Sequence, residues 1–259
     1  MTLLALDVGN LDTSIGFFDG ADLVADFVVS SEANRTADEW FLLIDGFVRR
    51  AGVETIDQVS VCCTVPAVMR RFRTCFERYF AGVPVWVVGP GVRTGVPIHT
   101  DNPREVGTDR VVNALAAKEF YGCPAIVVDL NGTATVFDVI DAAGRYVGGA
   151  IAPGIEVSLD ALAQRSAQLR SVEITTPRDV IGKNTVEALQ SGTVFGFAGL
   201  IDAMVDRILD SLDTDIRDVA VIGTGTHAGA VLDQCELITH RDPKLTLKGL
   251  QVVAARNSE

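Results

Sequence analysis

Basic residues are in deficit. The 259-residue chain carries 22 Lys and Arg against 34 Asp and Glu, a formal charge of −12 at pH 7. No cationic excess is left to neutralise a phosphate backbone, so nucleic acid is not an expected partner. One basic cluster, Arg70-Arg71-Phe72-Arg73, breaks the pattern, and its spacing reads as the solvated face of an amphipathic helix. Long hydrophobic runs are also missing: no stretch offers the ~18 apolar residues that a membrane span needs. Met1-Thr2 leads into a strand without the basic segment of a signal peptide. The expectation is a cytoplasmic protein with no membrane partner. Cysteine is sparse, odd in number at five and without metal-ligand spacing, which excludes a disulfide framework and favours buried thiols. What remains is an ordinary globular composition, 48% hydrophobic and 22% charged, in a chain long enough for two modest cores.

The stretch Ile126-Val127-Val128-Asp129-Leu130-Asn131-Gly132-Thr133-Ala134-Thr135-Val136-Phe137-Asp138 organises the rest. An apolar strand ends at Asp129, turns over Asn131-Gly132 and resumes, which predicts a hairpin with a polar, glycine-containing turn. Backbone N–H groups and the hydroxyls of Thr133 and Thr135 are phosphate donors there, and Asp129 is placed to hold a cation. Taken alone, the stretch reads equally as an ordinary hairpin. The first residues repeat it: an apolar strand Leu3 to Leu6, then Asp7, a Gly9-Asn10 turn, Asp12, Thr13 and a second apolar strand. Two such halves facing each other are the arrangement of the ribonuclease-H-like pairs that bind ATP in the acetate and sugar kinase, Hsp70 and actin superfamily. The expected class is therefore α/β, two ribonuclease-H-like (actin-like ATPase) domains over residues 1–117 and 118–259, each a mixed sheet flanked by helices.

Along the chain, Leu23 to Val29 reads as a third strand and Thr36 as the N-cap of a helix that Gly52 stops. A strand from Val59, a helix from Ala67 to Phe80 and a strand from Val83 to Val88 complete the first half. A polar segment from Arg93 then enters a helix at Asp109-Arg110. In that first turn backbone N–H groups favour an anion, an Arg clamps a carboxylate, and an adjacent carboxylate accepts a proton. Gly148 to Gly154 lets backbone approach closely, a short helix from Ser158 follows, and Gly182 to Thr185 caps a long helix apolar on more than one face. Val219 to Ile222 runs into Gly223-Thr224-Gly225-Thr226, a second place for a nucleotide, and a helix from Leu245 ends the chain.

With these pieces named, the chain resembles the type III pantothenate kinases over nearly its whole length. The resemblance rests on Asp7-Val8-Gly9-Asn10, Thr94 to Pro97, Asp101-Asn102-Pro103 with Glu105 to Arg110, Gly132 to Thr135, Gly148 to Gly154 and Gly182 to Glu187. It implies ATP-dependent phosphorylation of pantothenate in a homodimer that needs Mg²⁺ and a monovalent cation, K⁺ or NH₄⁺. Position by position, Asp109 is the implied general base. Arg110, Gly107, Thr108 and Thr100 bind pantothenate, with Thr185 supplied by the facing subunit. Asp7 and Asp129 hold metal. Gly9, Asn10, Asp12, Thr13, Gly132, Thr133, Thr135, Gly223, Thr224 and Gly225 surround the phosphates and nucleotide.

Four positions depart from the family pattern. Leu11 stands in place of a hydroxyl and Asp12 adds a negative charge beside it, while Asp129-Leu130-Asn131-Gly132 contains one extra residue. Thr100 replaces a Tyr, and Thr226 replaces a glycine. An extra residue at a strand end either bulges or rotates the Asp away. Three readings stay open: a working pantothenate kinase, a relative acting on another small molecule or nucleotide, and a non-catalytic regulatory homologue.

Overall fold

The computed structural model describes residues 1–165, 172–225 and 228–258. In chain order the first elements are β1 (Thr2–Val8), β2 (Asp12–Asp19), β3 (Asp22–Ser30), α1 (Ala37–Ala51), β4 (Gln58–Cys63), α2 (Pro66–Tyr79), β5 (Val85–Val87) and α3 (Thr108–Phe120). Then come β6 (Ala125–Asp129), β7 (Ala134–Ile140), β8 (Tyr146–Pro153), α4 (Ile155–Arg165), α5 (Thr185–Leu212), β9 (Ala220–Thr224), α6 (Gly229–Leu232), β10 (His240–Arg241) and α7 (Leu245–Asn257).

These elements build two units. In the first, the sheet order is β3-β2-β1-β4-β5, with β1, β2 and β3 antiparallel and β4 and β5 parallel to β1. In the second it is β8-β7-β6-β9-β10 with the same directions. The internal repeat read from the sequence is thus a repeat of topology, strand for strand.

Local chemistry sets the elements. Central strand β1 buries Leu3 through Leu6 because both its faces are covered. Thr36 and Glu39 form a reciprocal capping box that opens α1, and Gly52 closes it in the left-handed conformation. Leu4, Leu6, Val8, Val59 and Val61 share a core with Trp40, Ile44, Phe72 and Phe76 of α1 and α2. Alternation therefore puts Leu3, Ala5, Asp7, Ser60 and Cys62 on the other side of the sheet. In the second unit, Ile126, Val128 and Phe137 pack with Ile201, Val205 and Leu209 of α5.

The units are not the two consecutive stretches expected on either side of residue 117. The first comprises Met1–Val96, Asn102–Ala116 and Leu245–Glu259; the second comprises Pro97–Asp101 and Ala117–Lys244. Helix α7 returns because its Leu245, Leu247, Leu250 and Val253 are buried, and it packs on β1, β2, β4 and β5. Pro97–Asp101 joins the second unit through an Ile98–Tyr146 bridge and the His99 N–H bond to Tyr146 O at 2.7 Å.

A second correction concerns α5. Its 28 residues are long and apolar enough, by length and composition, to cross a membrane. Reading for an unbroken apolar run misses this, because Ser191, Gly192, Thr193 and Asp202 interrupt the run without lowering its mean hydropathy much. Here α5 buries Val194, Ala198, Ile201, Val205 and Leu209 in its own unit. β8, α6 and β10 were not legible as elements. Part of the irregular piece expected before Pro177, and Thr226, lie outside the described residues.

Candidate active site

In the first unit, β1 delivers Asp7 to the end of the sheet. Register places Asp7 opposite Ser14 on β2 and beside Cys62 on β4. Cys62 is fully buried, and its thiol donates to Asp7 Oδ1 at 3.2 Å. The turn beyond is closed by Gly9 N–H to Asp12 O at 3.0 Å, and Asn10, Leu11 and Asp12 are exposed at its tip. Thr13 lies behind that tip, buried, with its hydroxyl 2.7 Å from Ser31 Oγ.

The start of α3 is tied to β4. Thr108 Oγ1 accepts from Cys63 N–H at 3.2 Å. Asp109 follows, a half-buried residue whose Oδ1 is fully buried and meets no hydrogen-bond donor among the described residues. That oxygen occupies the space a Cβ on Gly107 would need, so only glycine at 107 admits this carboxylate orientation. Burial pushes the Asp109 carboxyl above its usual range. Backbone N–H groups of Arg110 and of Asp109 itself, and the Arg110 guanidinium, pull the other way. The Cys62 thiol is driven well up, by burial first and then by the charges of Asp7 and Asp109. It stays protonated at neutral pH.

In the second unit, β6 delivers Asp129 opposite Val136 on β7 and beside Thr224 on β9. The pairing repeats the first unit: each Asp faces the residue seven positions on, Ser14 or Val136. Register between β6 and β7 runs without a shift to Asp129, so the extra residue sits in the turn and neither bulges the strand nor rotates the Asp. Asp129 Oδ1 accepts from Asn131 N–H at 2.8 Å, and Gly132 takes a φ of +85°. Two glycines clasp this turn. A Cβ on Gly154 would lie 2.6 Å from Gly132 O and 2.8 Å from Thr133 C; one on Gly225 would lie 3.1 Å from Leu130 C. Thr133 is exposed at the tip, whereas Thr135 is buried and donates to Pro153 O at 3.2 Å.

Among the described residues no group of three or more His, Cys, Asp and Glu side chains is assembled for a metal. The carboxylate at the end of the first strand of each unit, Asp7 or Asp129, is of the kind Mg²⁺ takes, the ion using one or two carboxylates and completing its shell with phosphate and water oxygens.

The family model for type III pantothenate kinase matches residues 3–207. A type III pantothenate kinase of Nocardioides sp. strain JS614 is 54% identical over 258 residues, all of both chains, and that of Thermobifida fusca is 52% identical over 99% of this chain and 100% of its own. The chain belongs to the type III pantothenate kinase family. A solved ROK family glucokinase from Streptomyces griseus, in complex with glucose and AMPPNP, is alike in fold, with TM-score 0.57 and 14% identity over 99% of this chain and 100% of that one. The actin-like ATPase architecture is therefore the fold of this chain.

For a type III pantothenate kinase, several residues assigned from the resemblance lie elsewhere than the turn tips. Thr13 and Thr135 give their hydroxyls to neighbouring chain, since each follows its Asp by six residues and so faces inward at the strand's start. Gly223 and Thr224 are within β9; Gly223 backs on Leu232, with 2.8 Å from its would-be Cβ to Cδ2, and Thr224 is buried with its carbonyl accepting Leu130 N–H at 3.0 Å. Gly225 alone of that trio reaches a turn. Thr100 Oγ1 is buried without a hydrogen-bond partner among the described residues. Thr185 is exposed at the first turn of α5, where Asn184 caps Glu187 N–H at 3.0 Å. Two residues escaped the sequence reading. Gly154 is visible only as one glycine among several, and Cys62 reads as core because its partner is set by strand pairing, not by spacing.

Proposed function

We propose that this chain transfers the terminal phosphoryl group of ATP to the primary hydroxyl of pantothenate, yielding 4'-phosphopantothenate, in the cytoplasm as the first step towards coenzyme A. The observation that carries the reading is Asp109: a carboxylate held in a helix's first turn, destabilised as an anion by burial, with one oxygen lacking a donor. Such a group accepts a hydroxyl proton readily. Arg110 beside it supplies the charge that suits the pantothenate carboxylate, and Thr108 fixes the helix start to β4. Thr100, whose Oγ1 has no partner among the described residues, belongs to the reading as a pantothenate residue through the family likeness.

Phosphoryl transfer asks a protein mainly for alignment and charge stabilisation. Asp7 and Asp129 are the residues for Mg²⁺, which when bound supplies the charge that neutralises the triphosphate. The 130–133 turn, clasped by Gly154 and Gly225, offers the backbone N–H groups of Gly132 and Thr133 and the Thr133 hydroxyl to phosphate oxygens. A monovalent cation, K⁺ or NH₄⁺, belongs to the reading through the family likeness. So does a homodimer, which α5 supports: Gly192, Gly196 and Gly199 are exposed with open space over each Cα, next to exposed Ile181 and Val186.

The test is direct. Purified protein with ATP, Mg²⁺, K⁺ and pantothenate is expected to form ADP and phosphopantothenate in equal amounts by mass spectrometry. Absence of product under these conditions removes the proposal. Leu11 favours a second reading, a nucleotide-binding homologue without turnover, because it sets an exposed apolar side chain at the first phosphate turn. Thermal stabilisation by ADP in a protein that makes no product would establish that reading instead.

A further inference from the structure

We propose that Cys62 is a positioning residue, whose thiol holds the carboxylate of Asp7 in one orientation at the end of β1. The proposal deepens the kinase reading and rests on it for the role of Asp7. Geometry, burial and recurrence lead to it. The first is geometric: adjacent parallel strands put the two residues level, and the S–H donates to Oδ1 at 3.2 Å. The second is burial: Cys62 has no exposed surface, so its thiol meets only the groups packed around it.

The last observation is recurrence. The second unit repeats the topology, and the residue level with Asp129 on its parallel neighbour is Thr224, again small and buried, with a hydroxyl in place of the thiol. Two independent sheets thus set an ionisable carboxylate beside a buried side chain bearing one polar hydrogen. Asp7 is the next-to-last residue of β1, and the lateral hydrogen bond from Cys62 is one of the contacts that aim it. Losing an aimed carboxylate weakens binding of the charge it faces and leaves remote contacts intact.

Two substitutions separate aiming from packing. Cys62→Val removes the proton and adds about one methyl group of bulk; Cys62→Ser keeps the proton. The Val variant is expected to raise the KM for MgATP about tenfold with the KM for pantothenate unchanged, and the Ser variant to restore it to within about twofold of the parent. A Val variant with unaltered MgATP kinetics overturns the proposal. So does one that loses affinity for both substrates together with thermal stability, since that is the behaviour of a packing residue. The infrared S–H stretch supplies a readout that needs no turnover. The band that vanishes in Cys62→Ser is expected at the position of a hydrogen-bonded thiol and at that of an unbonded one in Asp7→Ala. An unbonded band in the parent protein overturns the proposal. Failure of the parent protein to make phosphopantothenate removes the kinase reading alone, because the infrared band still decides whether Cys62 holds Asp7.

Discussion

An ionised carboxylate with a buried, donor-less oxygen costs stability, and at Asp109 that cost has a definite pH dependence. Burial raises the folded-state pKa above its unfolded value. The folded protein therefore holds the Asp109 proton more tightly than the unfolded chain does. Its stabilising contribution is complete below the ordinary aspartate pKa of about 3.9 and is lost as pH rises through the folded pKa. At pH 7 the anion is a burden. Asp109→Asn removes it, so the variant is expected to melt above the parent protein at pH 7 and to converge with it in acid, measured by calorimetry across that range. Turnover in the same variant is expected to drop about 100- to 10,000-fold, the usual worth of a general base. A variant that melts lower at pH 7, or keeps its turnover, places the base elsewhere. Asp109 was legible in the sequence because a helix start is a local pattern. Its buried oxygen was not, because the close approach to Gly107 depends on how the first turn of α3 meets β4.

At the level of elements, the strand-turn-strand unit is used twice, and its second copy is the more tightly built. Apolar runs foretold β1, β2, β6 and β7, since a central strand is a continuous buried run. They did not foretell β8, where Gly148, Gly149 and Ala150 have low strand propensity and pairing with β7 decides. Nor did they foretell α6, only four residues long. Gly154, the residue after β8, gives that pairing its consequence for the turn. A Cβ there meets Gly132 O and Thr133 C inside contact distance, and those are backbone atoms that cannot rotate away. Gly154→Ala must therefore shift the 130–133 turn. The expected result is an ATP KM at least about tenfold higher, the overpacking cost being about 1 to 3 kcal/mol, with the pantothenate KM preserved. Gly46→Ala is the control: in α1, with nothing within 4 Å of its Cβ, it is expected to gain about 0.5 to 1 kcal/mol of stability and leave both constants alone. Equal ATP constants in Gly154→Ala and the parent protein would show that the turn does not hold phosphate.

For the whole molecule, the repeat of two halves suggests a cut in mid-chain, yet the chain does not divide there. The last thirteen-residue helix belongs to the first sheet: Gly249 of α7 meets Val112 of α3, 2.5 Å from a would-be Cβ to Val112 O, and Leu247 lies 3.1 Å from where a Cβ on Gly16 would sit. Thr246 Oγ1 donates to buried Asn113 Oδ1 at 2.8 Å, and Gln251 holds the β2–β3 turn through Gly20 O at 3.1 Å. No sequence period announces such a return, because an amphipathic helix shows that it has an apolar face and not which sheet that face will cover. Stability tests the assignment. A fragment of residues 1–117 lacks α7, so one side of β1 and the apolar surface of α3 are exposed to water. With each buried large apolar side chain worth about 1.5 to 3 kcal/mol, loss of Leu245, Leu247, Leu250 and Val253 is comparable to the whole margin of an ordinary domain, about 5 to 15 kcal/mol. That fragment is expected to show no cooperative thermal transition and rapid amide exchange in β1, and the same fragment carrying residues 245–258 on a flexible linker is expected to recover both. Cooperative unfolding of 1–117 on its own would mean that α7 is an ornament of the first sheet and that the mid-chain cut is the true boundary.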